Sequence, residues 1–401
     1  MPLLFLLLAV RVTVATAPLC PCGLTVDLLS APNTTALFTD IFETDFLHLP
    51  SVRPTHAFDP GWRPQNYDQP PQFPRLYYGL AKRVANVVAR PLARAWDWGG
   101  PAPALAGDAD VDGADPGLQM WVRARTHPGP ESDRGYVSTA ELVSARRDML
   151  YGSFRVGMKP PTTPGTCAAF FFYRDDTQEI DIEVLSHQQA TSPPPINLVI
   201  QSPKLGAPPA AALHVPISGP PPTSSFLEYR FDWLPDRVDF SLNGRLLHSV
   251  PAPVPHLPGA LYLAHWSNAN PRWSGGPPRH DAPLAISYVK AYFNSSAPER
   301  QRRARDRCAQ RADDLDPDPD LCRVPAQTEP PDPVGARGNV TGRTFFFTAA
   351  REGAYVADQI VYDDERGEGT RSGAAGRKGV EEWAGVVVVV AAAGMGLLGV
   401  W

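Results

Sequence analysis

Glu179, Asp181 and Glu183 stand two residues apart in the stretch DTQEIDIEVLS, with Ile180, Ile182 and Val184 filling the gaps. On a β-strand, residues i, i+2 and i+4 share one face. The carboxylates therefore line up on one side and the aliphatic residues point into a core on the other. The preceding CAAFFFYR is strongly apolar, which predicts a central rather than an edge position. Crowded carboxylates repel one another and lose solvation if their face is a cleft, so at least one pKa rises. The three then titrate as a coupled set. Splitting a glycosidic bond with retention needs one ionised carboxylate to attack the anomeric carbon and one protonated carboxyl to donate to the leaving oxygen, about 5–5.5 Å apart. A flat strand sets Cα atoms four residues apart at roughly 13 Å. The Glu179 and Glu183 headgroups must then lean together over Asp181, and concave curvature of the sheet would help. The alternative is a solvated acidic face on an amphipathic strand.

The surrounding chain predicts the elements that would hold such a strand. From Leu118 onward, LQMWVRART, VSTAELVSA, YGSFRVGMK, AAFFFYR, EIDIEVLS, INLVIQS, LEYRFDWL, RVDFSLNGRLLHSV, ALYLAHWS and LAISYVKAYF follow one another with turns between. Many alternate at period two, and Asn243-Gly244 is a tight hairpin signal. Around ten short antiparallel strands predict an all-β, two-sheet sandwich, because each alternating strand has one apolar face that a second curved sheet can cover. Heavy use of proline, 46 residues, agrees with short strands and turns. Upstream, FTDIFETDFLHL reads as an edge strand. Residues 82–117 drift into an Ala/Gly/Asp/Pro mixture that predicts a loop insertion.

The ends carry their own signals. Residues 1–17 read as a signal peptide: an apolar run, then small residues suited to cleavage. Residues 18–296 hold the strand-rich domain and 297–325 a charged extension. Residues 326–376 are a polar, Pro/Gly-rich stalk, and 377–401 a spacer with an uncharged apolar tail. Small residues, polar spacer and terminal apolar tail together signal a glycolipid (GPI) anchor attached at Ser372, Gly373 or Ala374, with a tail-anchored helix as the alternative. The expected place is outside the cell, held at the membrane surface or wall. Sequons at Asn33, Asn294 and Asn339 suit a secreted glycoprotein. The formal charge of -5 gives no reason to expect nucleic-acid binding. Cys308 and Cys322 flank a short charged loop and are expected to pair, leaving Cys20 or Cys22 to meet Cys167. CPC without a histidine cluster is a poor metal site, and the Asp-Gly pairs form no calcium loop of the EF-hand type, so no metal site and no cofactor are assigned.

The sequence resembles glycoside hydrolase family 16, whose signature Glu-x-Asp-x-Glu lies on a strand of a concanavalin A-like jelly roll. EIDIE matches its uninterrupted form. YGSFRVGMKPPTTPGTCAAFFFYRDDTQEIDIEVLS resembles the family's catalytic strand and the two before it, and LEYRFDWLPDRVDFSLNGRLL its Tyr-x-x-x-Trp strand and hairpin. HWSNANPRWSGGPP, ISYVKAYFNSS and the early CPCG resemble a secreted fungal branch. The resemblance spans residues 20–325 and is strongest over 136–296. It implies Glu179 as nucleophile, Glu183 as acid/base and Asp181 as the residue that tunes their protonation. It also implies a β-glucan or related wall polysaccharide as substrate and a monomeric enzyme that hydrolyses or transglycosylates. A lectin-like wall protein without turnover is the alternative. Sugars stack on aromatic faces; Trp266 and Trp273, with Asn268 as polar partner, are the first candidates, followed by Trp233 and Tyr173. His265 and His187 could support the carboxylates from behind.

Overall fold

The structure, a computed structural model, describes residues 20–91, 115–309 and 321–324 apart from positions 32, 48, 50, 56–58, 130–131, 203–210 and 220, together with the backbone of 360–363 and 368–371. The expected signal peptide, stalk, anchor and tail, with Asn339 and Ser372 to Ala374, lie outside the described residues or their side chains.

Two large sheets face each other. One is ten-stranded. Its main path runs Ala211–Pro216, Pro195–Gln201, Gln178–Leu185, Cys167–Asp175, Ala260–Trp266, Ser132–Ser144, Gly79–Lys82, Tyr67–Gln69. The other is eight-stranded, with a main path of seven, Arg245–Pro251, Arg237–Leu242, Leu227–Trp233, Met149–Lys159, Ala282–Ser295, Gly117–Val122, Val87–Arg90, and Asp40–Asp45 off that path. Pairing within both sheets is antiparallel except where Ser132–Ser144 meets Gly79–Lys82. The predicted all-β sandwich is the observed architecture. The predicted edge strand is Asp40–Asp45, which pairs the second half of Ala282–Ser295. Asn243 and Gly244, with φ of 46° and 72°, make the hairpin turn between Arg237–Leu242 and Arg245–Pro251.

The core forms because one residue of each alternating pair is apolar. Phe170, Phe172, Ile180, Ile182, Val184, Leu198, Ile200, Leu261 and Leu263 come from the first sheet, and Phe154, Val156, Tyr229, Phe231, Trp233, Val289 and Phe293 from the second. Rings meet across the interface: Phe170 on Phe231 at 5.3 Å, and Phe172 on Trp233 at 4.3 Å.

Two expectations are corrected here. The 82–117 stretch is not all loop. Val87–Arg90 pairs with Gly117–Val122, and Val87 is buried in the core. The cystines also differ. Cys20 bonds Cys322, and Cys22 bonds Cys308. The cause is topological. Leu321–Arg323 runs parallel to Gly23–Asp27, which puts Leu24 opposite Cys322 and draws both C-terminal cysteines to the N-terminus. Cys308 lies in the last turn of the helix Pro298–Ala309, within the charged extension. Closing a loop of 302 residues stabilises by roughly 5 kcal/mol in the chain-entropy model. The second bridge, between neighbours of the first pair, adds much less. No helix among the described residues is long and apolar enough to cross a membrane.

Candidate active site

The carboxylate strand, Gln178–Leu185, lies between Pro195–Gln201 and Cys167–Asp175, a central position. Directly opposed residues share a face, so the register identifies the neighbours of each acid. Glu179 lies opposite Tyr173 and Gln201; Asp181 opposite Phe171 and Val199; Glu183 opposite Ala169 and Asn197. Strong burial accompanies this alignment: Glu179, Asp181 and Glu183 are 2%, 3% and 2% exposed. Their aliphatic neighbours Ile180, Ile182 and Val184 fill the core on the other side.

The acids are held by few and neutral partners. Gln201 Nε2 donates to Glu179 Oε2 at 2.8 Å. Asp181 and Glu179 share a hydrogen bond. The Cys167 thiol donates to Glu183 Oε1 at 3.5 Å. Asp181 Oδ2 and Glu183 Oε2 are buried without a hydrogen-bond partner. Among the described residues, no lysine, arginine or histidine forms an ion pair with any of the three. Burial of the charged form is the first cause of their shifts and raises all three. Glu179 is pushed up to about 8, where the Glu183 charge adds to burial and the Asp181 hydrogen bond opposes it. Glu183 rises to about 7, with the Cys167 hydrogen bond opposing burial. Asp181 is raised well above the usual carboxylate range by burial and then by the charges of Glu179 and Glu183. Near neutral pH the three cannot all be ionised. The shared hydrogen bond is satisfied when Asp181 carries a proton and donates it to an ionised Glu179.

The register also draws a row across the sheet. Glu141, Ala264, Ala169, Glu183 and Asn197 are successive cross-strand neighbours and face the same way. At the far end, Lys82 Nζ donates to Glu141 Oε2 at 2.9 Å and the Tyr67 hydroxyl to Glu141 Oε1 at 3.1 Å. Beside the row, Phe171 stacks on Tyr262 at 5.0 Å, and Tyr173 meets Tyr262 edge-on at 5.7 Å. Cys167, Ala169, Phe171, Leu185, Ala264 and Trp266 form a second apolar cluster, flanked by the partly buried Tyr173, Tyr262 and Trp273.

The predicted sugar contacts fare unevenly. Tyr173 lies on the carboxylate face, half-buried, its hydroxyl donating to Asp176 Oδ1 at 2.8 Å. Trp273 is half-buried beside the same cluster, with Nε1 unpartnered. Trp266 is on that face too, but at 2% exposure its ring is covered by its own chain. Asn268 is committed to its loop: Nδ2 donates to the Arg75 carbonyl, and Oδ1 accepts from Asn270 N and Ser274 Oγ. Trp233 is a core residue of the opposite sheet, fully buried, with Nε1 donating to the Pro255 carbonyl. Leu227–Trp233 is buried along its whole length, so alternation alone did not reveal which residues face the core. His265 points away from the carboxylates and hydrogen-bonds the Met120 carbonyl at 2.7 Å. Of the sequons, Asn33 is exposed and Asn294 is half-buried with its amide engaged by Thr39 N.

Tyr262, Gln201, Glu141, Lys82 and Tyr67 were not singled out from the sequence, and Cys167 only as a cystine partner, which it is not. Glu141 carried a usable signal, as a lone charge within the alternating VSTAELVSA. The others became visible only through cross-strand register.

The carboxylate face lies within residues 108–282, which match the model of glycosyl hydrolases family 16. The chain is similar to the beta-glucanase of Bacillus licheniformis, 29% identical over 133 residues, which covers 31% of this chain and 51% of that protein. It is also similar to the beta-glucanase of Paenibacillus polymyxa, 29% identical over 124 residues, 29% of this chain and 48% of that one. The chain spans about half the length of the curated relatives it matches. Among solved structures, it is similar to a lichenase from a mouse hindgut metagenome, at 18% identity and a TM-score of 0.45 over 63% of this chain and 99% of that one. It is similar also to Crh5 transglycosylase in complex with NAG, at 14% identity and a TM-score of 0.42 over 64% and 85%.

Proposed function

We propose that the chain is a retaining β-glucan hydrolase or transglycosylase, with Glu179 as nucleophile and Glu183 as acid/base. The observation that carries this reading is a trio of buried carboxylates on one strand face, held by neutral groups and sharing fewer than three charges near neutral pH. A merely structural face has no need of such crowding. The family 16 segment and its beta-glucanase relatives put β-glucan first among substrates.

In the first step Glu183 donates its proton to the glycosidic oxygen while Glu179 attacks the anomeric carbon, forming a glycosyl ester and releasing the leaving chain. Gln201 and the protonated Asp181 hold the Glu179 carboxylate in the attacking state. In the second step the ionised Glu183 takes a proton from water, or from a hydroxyl of a second glycan, and that oxygen displaces Glu179. Water gives hydrolysis and a sugar hydroxyl gives transfer. The row from Glu183 to Glu141, with Tyr173, Tyr262 and Trp273 beside it, offers polar ends and aromatic faces to a sugar chain. The two cystines support an oxidising, extracellular setting, and anchorage at the cell surface follows as a proposal from the terminal signals in the sequence.

The test is incubation of the full chain with laminarin, lichenan and xyloglucan, with products separated by size and the first-formed anomer read by proton NMR. Shortened or elongated products with retained configuration, abolished in Glu179→Gln, are expected. Because Glu183 must be protonated and Glu179 ionised in the first step, kcat/KM should be bell-shaped in pH, its limbs near 7 and 8 belonging to the pair. Sugar binding without turnover would convert the reading to that of a lectin-like protein.

A further inference from the structure

We propose that Cys167 is a positioning residue for the acid/base: its thiol holds Glu183 Oε1 and leaves Oε2 as the oxygen that exchanges a proton with the substrate. The inference rests on the reading of Glu183 given above.

Three observations meet at this pair. Cys167 lies on Cys167–Asp175, the strand beside the carboxylate strand, opposite Leu185 and one face position along from Ala169, the residue opposite Glu183. The side chain therefore reaches Glu183 diagonally, at 3.5 Å, an ordinary separation for a thiol hydrogen bond to oxygen. Next, the two oxygens of Glu183 differ. Oε1 has the thiol, while Oε2 is buried with no partner at all. A buried carboxyl oxygen left bare is costly unless something else completes it, and a glycosidic oxygen, water or sugar hydroxyl has the chemistry to do so. Finally, the thiol has no alternative role in the covalent framework. The chain has five cysteines; four are in the two cystines, and Cys167 is the free one.

The chemistry of sulfur suits the task. A thiol is a weak donor. It steers the Glu183 carboxylate without holding it strongly ionised, so the group can still be protonated for the first step and deprotonated for the second. Burial, then the Glu183 charge, raises the thiol well above its ordinary value, so it remains S–H and keeps donating across the working pH range. Trp266, opposite Cys167 on the next strand, and the rest of the apolar cluster keep competing water from the sulfur.

The bond can be read without any substrate. With one thiol in the chain, the infrared S–H stretch reports on Cys167 alone. In the intact protein this band should move as Glu183 titrates, and should lose that pH dependence in Glu183→Gln. Carbon-13 NMR of glutamate-labelled protein, with Glu183→Gln to assign the resonance, gives the Glu183 midpoint directly. Cys167→Ala removes a donor that favours the ionised carboxylate, so the midpoint should rise by about half a unit. Cys167→Ser, which keeps a donor, should bring it back towards the wild-type value. If glucan turnover is found, the alkaline limb of kcat/KM should follow the same order. Cys167→Val fills the space without donating and serves if the alanine variant folds poorly. An S–H band indifferent to Glu183, with the same midpoint in the wild-type, valine and alanine proteins, would overturn the inference. Absence of turnover on every glucan would count against the proposed function and leave these spectroscopic outcomes standing on their own.

Discussion

Two buried polar regions of this protein carry titratable groups at similar depth and with opposite logic. One is the carboxylate face of the ten-stranded sheet. The other lies on the eight-stranded sheet, where Arg155, Glu228, Arg230, Asp232, Lys290, Tyr288 and Tyr292 are all buried. There, acids meet cations and hydroxyls. Arg230 makes a two-pronged contact with Asp232, Nε to Oδ1 at 2.8 Å and Nη2 to Oδ2 at 2.7 Å. Tyr288 donates to Glu228 Oε2 at 2.7 Å, and Tyr292 to Glu43 Oε1 at 2.5 Å. Burial pulls Arg155 down, but Glu228 leads the anions that outweigh it, and its pKa ends raised. Burial pulls Lys290 to about 8 against Glu43 and Glu228. This second region is balanced charge. The carboxylate face is unbalanced charge, relieved only by protons, and a group that must borrow a proton is one that can lend it to a substrate. The comparison teaches that sign balance, rather than burial or the number of ionisable groups, separates a structural polar layer from a site equipped for proton transfer.

The largest effects should fall on opposite observables. Glu179→Gln or Glu183→Gln should lower turnover at least about a thousandfold with no loss of melting temperature, since each removes a repelling charge. Arg155→Met should leave Glu228 with only Tyr288 and Lys290 as partners and cost on the order of 3 kcal/mol in denaturant unfolding, with little specific effect on kcat in whatever fraction stays folded. Thermal melts alongside initial rates decide the matter. A carboxylate variant that unfolds the protein, or an Arg155 variant that is stable and inactive, would reverse the assignment of the two regions.

The same separation applies to two tryptophans of one sequence-level class. Trp233 sits on the second sheet against Phe172 and Tyr151; Trp233→Ala should cost about 3–5 kcal/mol through the cavity left behind. Trp273 borders the carboxylate face with an unpartnered Nε1. Trp273→Ala should change stability little and raise KM several-fold, in keeping with about 1 kcal/mol of aromatic contact. Unfolding curves and Michaelis plots of the two variants give the four numbers needed.

The pH dependence of stability sharpens the contrast further. Glu179 and Glu183 have folded pKa values raised to about 8 and about 7 from the ordinary glutamate value of 4.5. The folded state therefore binds more protons than the unfolded state between these values. The stabilisation is fully present below about 4.5 and is lost as pH rises through 7 to 8. Glu179→Gln lacks a titrating group at this position. It should be more stable than wild type at pH 7.5 by on the order of 2 kcal/mol, and the advantage should vanish at pH 4.5. Urea unfolding at the two pH values measures it. An advantage of equal size at both would mean that charge is not its cause.

The acids and the sandwich were legible because both are properties of period-two alternation, which the sequence displays without knowledge of partners. EIDIE states its own two faces. What register decides was not legible: that Phe171 and Tyr173, not Phe170 and Phe172, face the acids, that Cys167 reaches Glu183, and that Glu141 lies in the same row. These depend on how strands slide past one another, which no single strand encodes. Trp233 and Trp266 misled for one reason. An aromatic ring serves a core and a sugar platform equally well, and only the sheet it belongs to, or the neighbours that cover it, tells them apart. The cystines failed similarly. Nearness in sequence pointed to Cys308 with Cys322, whereas a parallel strand pair brought both to the other end of the chain.

The smallest predicted effect uses one substitution in both regions. Tyr173→Phe removes a hydroxyl that donates to Asp176, both groups being half-buried, so water can replace it. Its cost should be about 0.5 kcal/mol, with turnover changed less than about threefold. Tyr288→Phe removes the hydroxyl on Glu228 where no surface is near, and the other Glu228 oxygen, Oε1, already lacks a partner. A buried acceptor stripped of its donor costs about 1–3 kcal/mol. The balanced region should thus be the more sensitive of the two to loss of a single neutral hydrogen bond. Its acids are matched by fixed cations and hydroxyls and must be satisfied where they stand, whereas an acid on the carboxylate face can take up a proton instead. Unfolding free energies of the two phenylalanine variants at pH 7.5 supply the test, and equal costs would mean that the two regions tolerate lost hydrogen bonds alike.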